Sequence, residues 1–102
     1  WDLLYKAKQV ADEKNIPVVV GNVLSSDTFY TPEKDLPKKW AQMNVIAVEM
    51  EAYALYCNAA YAGVNALAIL TVSDSLVTKK ETTPEEREKN FTKMMEIALE
   101  LA

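Results

Sequence analysis

Three carboxylates stand at the ends of apolar runs, and their spacing is the chain's clearest chemical signal. Val45-Ile46-Ala47-Val48 runs straight into Glu49-Met50-Glu51, and the apolar run 66–73, ending in Val72-Ser73, runs straight into Asp74. Glu49 and Glu51 are two residues apart, so a continued strand places both on one face and Met50 on the other. Ionised carboxylates only accept hydrogen bonds, and a pair of them suits the two hydroxyls of a diol. The same residues also suit the first turn of a helix, where negative charge is favoured. Asp74 has two readings as well. It is a turn or capping residue, or a partly buried carboxyl with a raised pKa that acts as a general acid. Arg87 follows Glu85 and Glu86 in a helix first turn, where the dipole disfavours a cation. It either pairs with Glu86 or another neighbour, or it is aimed at Asp74 or a ligand. Phe29 and Tyr30 lie in otherwise polar company. Phe29 either stacks on a planar ligand or plugs its loop to the core.

The elements that must position these groups follow from periodicity. Leu3, Leu4, Ala7, Val10 and Ala11 recur at helical spacing over residues 2–14, with Asp2 as the expected cap. A buried strand is expected over 18–24, a polar loop over 25–37 and a short helix over 38–43. A second strand is expected over 45–48, a helix over 50–62 stopped by Gly63, and a third strand over 66–73. Tyr53, Tyr56, Cys57 and Ala60 share a helix face that reads as core, with Cys57 a buried, inert thiol. The last helix has the plainest start: Thr83-Pro84-Glu85-Glu86 sets Thr at the cap, Pro first and Glu three residues on. Its expected apolar face is Phe91, Met94, Met95, Ala98, Leu99 and Ala102. The order is that of an α/β fold. It is a three-layer piece, with a mostly parallel mixed sheet flanked by helices. Ligands of such sheets sit at the carboxyl ends of the strands, where the three carboxylates lie.

Composition narrows the chemistry. The 102 residues carry a net charge of −4 and no basic stripe, which gives no electrostatic case for nucleic acid or an anionic membrane. No apolar run has the length of a membrane span. The lone Cys57 allows no intrachain disulfide, and a reducing, cytoplasmic location is expected. There is no histidine, which removes His-based metal sites and Ser-His triads. No metal site is expected. Glycine occurs twice, so there is no Gly-rich phosphate loop. The opening Trp1-Asp2-Leu3-Leu4, without an initiator Met, reads as a piece of something longer.

One ordered set of motifs runs through the chain: Gly21-Asn22-Val23-Leu24-Ser25-Ser26-Asp27-Thr28-Phe29-Tyr30, Val48-Glu49-Met50-Glu51-Ala52, Thr71-Val72-Ser73-Asp74, and Thr82-Thr83 through Glu86-Arg87. The set resembles the bacterial, hexameric class of purine nucleoside phosphorylases. Val-Glu-Met-Glu-Ala alone is shared with the wider phosphorylase and nucleosidase superfamily. The thirteen-residue step from Asp74 to Arg87 is more specific to the phosphorylases.

The resemblance implies a phosphorylase/hydrolase-like fold, with residues 1–102 as the carboxyl-terminal part of a single domain. It implies that Phe29 stacks on the purine, Val48 and Met50 pack on base and sugar, and Glu51 holds ribose hydroxyls, with Glu49 along the same pocket. Ser73 and Asp74 then face the base. Asp74 protonates purine N7, and Arg87 moves toward Asp74 when substrate binds. The implied partners are a purine nucleoside, inorganic phosphate as co-substrate, and further copies of the chain, as a hexamer. No cofactor is implied. In the family the phosphate ligands come from the amino-terminal half, and a neighbouring subunit's His and Arg reach the sugar 5′-hydroxyl. The 102 residues alone are therefore expected to be inactive. Hydrolytic cleavage by a nucleosidase, and a non-catalytic nucleoside-binding or assembly piece, are the competing readings.

Overall fold

The first helix, α1 (Asp2–Glu13), forms where the apolar spacing predicts it. It turns Ala7, Val10 and Ala11 inward. Trp1, rather than Asp2, holds the cap position, and no side chain caps the helix. Asp2 instead lies in the first turn, where the dipole favours its charge. The helix stops at Asn15, which takes a left-handed φ of 54°. Its N–H bonds Asp12 O, and the Ile16 N–H bonds Ala11 O at 2.8 Å. This pair of bonds is a Schellman stop with Asn in place of Gly.

The computed structural model describes all 102 residues, Trp1–Ala102. After α1 come β1 (Asn22–Ser25), α2 (Leu36–Gln42), β2 (Val45–Glu49), α3 (Ala52–Ala62) and α4 (Pro84–Leu99). The architecture is mixed α/β: four helices and a two-stranded sheet in which β1 and β2 run parallel. Val23 pairs with Ala47, Leu24 with Val48 and Ser25 with Glu49, with an irregularity between Asn22 and Val23. The helix α2 starts two residues before the expected 38–43, because Pro37 is tolerated in its first turn. Gly63 ends α3 at φ 69°, as its sequence position predicts.

Two expectations are corrected. The strand expected over 18–24 is laddered only from Asn22, and the segment 66–73 pairs with no strand. Ladder pairing requires backbones about 4.8 Å apart. Val18–Val20 and Leu67–Val72 instead both line one cavity of about 600 Å³, together with Leu4, Ile46 and Met94. The 66–73 segment is held by other means. Tyr56 Oη accepts from the Ala68 N–H at 2.9 Å, and Leu67 and Ile69 pack on the core.

That core joins Ala7, Val10 and Ala11 of α1 to Ile97 of α4, with Ile16, Val18 and Leu101 around it. On α4 Ile97 is buried and Met94 half-buried, with Leu101 just past the helix end; of the expected face only Met94 turns inward, while Phe91, Met95 and Leu99 are exposed. Leu99 is 75% exposed and Ile97 only 2%. The two stripes lie side by side on the helix, and the position of α1 selects between them. The expected core face of α3 is likewise outside: Tyr53 is 73% exposed and Cys57 is exposed. Only Ala52 and Ala59 of α3 are buried.

Candidate active site

The parallel register sets Ser25, the last residue of β1, beside Glu49, the last residue of β2. Along β2, Val45, Ala47 and Glu49 are half-buried while Ile46 and Val48 are exposed, so Glu49 belongs to the inward face. The Ser25 hydroxyl donates to Glu49 Oε1. Glu49 Oε2 accepts from the N–H groups of Glu51 and Ala52, each at 2.6 Å. Ser25 Oγ also accepts from the Tyr53 N–H at 2.9 Å. The backbone closes the same junction, with the Ser26 N–H bonding Glu49 O at 2.8 Å. Three N–H groups at the start of α3, which a helix cannot satisfy itself, are thus met by two strand-end side chains. Burial acts to raise the Glu49 pKa. The Ser25 hydroxyl and the Ala52 and Glu51 N–H groups outweigh it and hold the carboxyl below its ordinary value of 4.5.

The expected face-sharing of Glu49 and Glu51 is not formed. β2 ends at Glu49, and Glu51 turns into α3 at φ −126°, ψ −23°, so the strand alternation stops between them. Glu49 has both oxygens engaged by its own chain. Glu51 is exposed, and its carboxylate takes the Met50 N–H at 3.3 Å. Val48 and Met50 are also accessible, at 44% and 42%.

Beyond β1, Ser26 Oγ accepts from the Thr28 N–H and donates to Thr28 O, which tightens the turn before Phe29. Phe29 stands against Tyr30 in a T-shaped pair, 4.9 Å between centroids. The ring is 74% exposed, so it does not plug the loop to the core.

Ser73 and Asp74 open a closed loop. Asp74 bridges Glu81 in antiparallel fashion, and Ser73 O accepts from the Thr82 N–H at 3.0 Å. Inside it, the Ser75 N–H bonds Lys80 O at 2.7 Å. Asp74 is exposed rather than partly buried, and Ser73 Oγ donates to its Oδ2 at 3.3 Å. The loop leads to Thr83, which caps α4 by accepting from the Glu86 N–H at 3.2 Å. Arg87, one turn in, is half-buried. Its expected ion pair with Glu86 is not made. The salt bridges are Lys8–Asp12, Lys14–Glu100 and Lys39–Glu33. Arg87 Nε is buried with no acceptor.

The expected residues therefore form two groups, Val48–Glu51 at the β2–α3 junction and Ser73–Asp74 with Arg87 at the loop before α4. No hydrogen bond or ion pair joins the two groups, and none of these residues or Phe29 lines the 600 Å³ cavity. Sequence reasoning gave Ser25 no role of its own. Its signal exists only in the parallel register that sets it beside Glu49. No cluster of three or more Cys, Asp or Glu side chains converges to hold a metal ion, and no helix is long and apolar enough to cross a membrane.

Comparison with known proteins adds a family. A family model described as the phosphorylase superfamily matches residues 1–102. The chain is 58% identical over 102 residues to a protein of Clostridium novyi (strain NT) named "Purine nucleoside phosphorylase DeoD-type", covering 100% of the chain and 44% of the relative. Proteins of the same name from Brevibacillus brevis and Alkaliphilus metalliredigens are 52% identical over 102 residues and 57% over 100. They are covered over 43% of their length, against 100% and 98% of the chain. The chain thus spans less than half the length of the curated relatives it matches.

Proposed function

The chain belongs to the phosphorylase superfamily, and from that premise we propose that it is the carboxyl-terminal part of a single purine nucleoside phosphorylase domain. It supplies the base and ribose half of the site. The reaction is reversible phosphorolysis of purine ribo- and deoxyribonucleosides in purine salvage. Inorganic phosphate is the co-substrate and no cofactor takes part. The complete protein is a cytoplasmic homohexamer. The observation that carries this reading is likeness over the whole of this chain, and 43–44% of each relative, to proteins named for that activity.

The chemistry assigns each group a task. A phosphate oxygen attacks C1′ as the bond from C1′ to purine N9 breaks. The bonding pair passes into the purine, and Asp74 transfers its proton to N7, leaving a neutral base, pentose 1-phosphate and the Asp74 carboxylate. A positioned acid contributes roughly 10²–10⁴-fold. Ser73 lies beside Asp74 at the base. Phe29, 74% exposed, stacks on the purine. Val48 and Met50 pack on base and sugar, and the accessible Glu51 carboxylate accepts from the ribose hydroxyls. Arg87 approaches Asp74 after binding. Its charge then favours the Asp74 carboxylate and drives the proton onto N7. The exposed Asp74 and the unpaired Arg87 Nε support a site assembled only with substrate.

The test is Asp74→Asn in the complete phosphorylase, with steady-state kinetics on inosine and on a nucleoside whose base is already cationic. Turnover of inosine should fall by about 10²–10⁴-fold, and turnover of the cationic substrate far less. Equal losses on both would refute general-acid catalysis by Asp74.

A further inference from the structure

The junction of β1, β2 and α3 has more bonds than a strand end needs. Ser25 donates to Glu49 and accepts from Tyr53, 28 residues away. Glu49 holds the N–H groups of Glu51 and Ala52 with one oxygen and Ser25 with the other. Glu51 lies at the centre of this arrangement. Its N–H is fixed at 2.6 Å by Glu49, and its C=O accepts the first helical bond of α3, from the Leu55 N–H at 3.0 Å. Its carboxylate alone points into the open, bonded only to Met50 N–H. The peptide groups on both sides of Glu51 are held, while its carboxylate keeps acceptor positions open to a ligand.

We infer that Ser25 and Glu49 are positioning residues. They set the backbone from which Glu51 reaches the sugar hydroxyls, and Glu49 is not itself a sugar ligand. The inference rests on the assignment of Glu51 to the ribose. The geometry favours it over a shared diol site because both Glu49 oxygens already carry chain donors. Three of the roughly four acceptor positions of this half-buried carboxylate are taken by the chain, which leaves too few for the two hydroxyls of a diol, whereas the exposed Glu51 carboxylate has a single chain donor. Ser25 is the part of the unit that connects both strands to the helix. Removing its hydroxyl leaves Glu49 Oε1 without a donor and the Tyr53 N–H without an acceptor. Pre-organisation of this kind fixes a ligand-binding group before the ligand arrives.

The experiment uses the complete phosphorylase and calorimetric binding of two probes: inosine, and its dideoxy analogue lacking the 2′- and 3′-hydroxyls. Ser25→Ala should weaken inosine by about tenfold, the size of one charge-assisted hydrogen bond, and the analogue by less than about twofold. Ser25→Thr, which keeps the hydroxyl, should restore inosine binding. In a Glu51→Ala background, Ser25→Ala should add less than about twofold, since the two act through one contact. If Ser25→Ala does not fold, Glu49→Gln takes its place with the same expected pattern. Equal weakening of both probes, or effects that multiply in the Glu51→Ala background, overturns the inference and makes Ser25 a structural bond only. A Glu51→Ala variant that binds inosine normally removes Glu51 from the ribose and the inference with it. That outcome is distinct from the first.

Discussion

Arg87 is where the chain gives up stability, and replacing it by Met should make the fold more stable. Its Nε is buried without an acceptor, no carboxylate pairs with its guanidinium, and it stands one turn into α4, near the positive end of the dipole. A buried, unsatisfied donor costs about 1–3 kcal/mol, and the low end applies because the side chain is only half-buried. The dipole adds about 0.3–1 kcal/mol against a cation there. Attraction to nearby Glu85 and Glu86 offsets about 0.5 kcal/mol at most in exposed surroundings. Met keeps most of the apolar stem's packing and removes every one of these terms. The balance is a gain of about 1 kcal/mol, or about 4–8 °C in Tm for a domain near this size. Thermal unfolding followed by circular dichroism at low salt measures it, with Arg87→Lys as the control that removes Nε but keeps the charge. Lys should recover part of the gain. In the complete phosphorylase the same Arg87→Met change should lower turnover, the pattern of a residue kept for function at the expense of stability. A Tm that falls by several degrees refutes the reasoning, because the guanidinium would then have a partner that stabilises the fold.

The two stripes of α4 should respond differently to truncation. Ile97→Ala, at a 2% exposed position, should destabilise by about 2–5 kcal/mol, and Leu99→Ala, at 75% exposed, by no more than about 0.5, as read by urea unfolding. Similar values for both would place the core elsewhere. The Glu49 carboxyl is held below its ordinary value of 4.5, so its contribution is fully present above that pH and is lost as pH falls through the lower folded value. Protection of the Ala52 and Tyr53 amides from hydrogen exchange, taken relative to the intrinsic rate at each pH, should therefore hold down to pH 4.5 and fall below it, and Glu49→Gln should abolish the transition. A midpoint at or above 4.5 in the wild type contradicts the hydrogen-bond arrangement.

Local signals were legible wherever a single segment carries the physics. The Thr83 cap with Pro84 behind it, the Gly63 stop and the α1 stripe of Ala7, Val10 and Ala11 each depend on residues within a few turns of one another. The α/β class and the placement of Glu49 and Asp74 at the ends of apolar runs were legible for the same reason. Errors arose where a partner decides. An apolar run such as 66–73 becomes a laddered strand only if another backbone comes within bonding distance, and here it lines a cavity with 18–20 instead of pairing. Helix faces such as Tyr53-Tyr56-Cys57 are apolar in the sequence whether or not anything covers them.

Residue types and spacing set the kinds of chemistry available: carboxylates at the ends of apolar runs, one arginine, no histidine, and no glycine cradle for phosphate. They also make up the ordered motif set that marks the family. How those carboxylates divide their work emerges only from the way the elements meet in three dimensions. Residue spacing gave Glu49 and Glu51 equal standing, because a strand's two-residue period treats them alike. The end of β2 at Glu49 broke that period, and the parallel register brought Ser25 alongside. A carboxylate beside a hydroxyl and two free helix N–H groups is held by them, while one residue pair further on the chain has turned and Glu51 faces the open. That difference lies in how two strands and a helix meet, which no stretch of a single segment encodes.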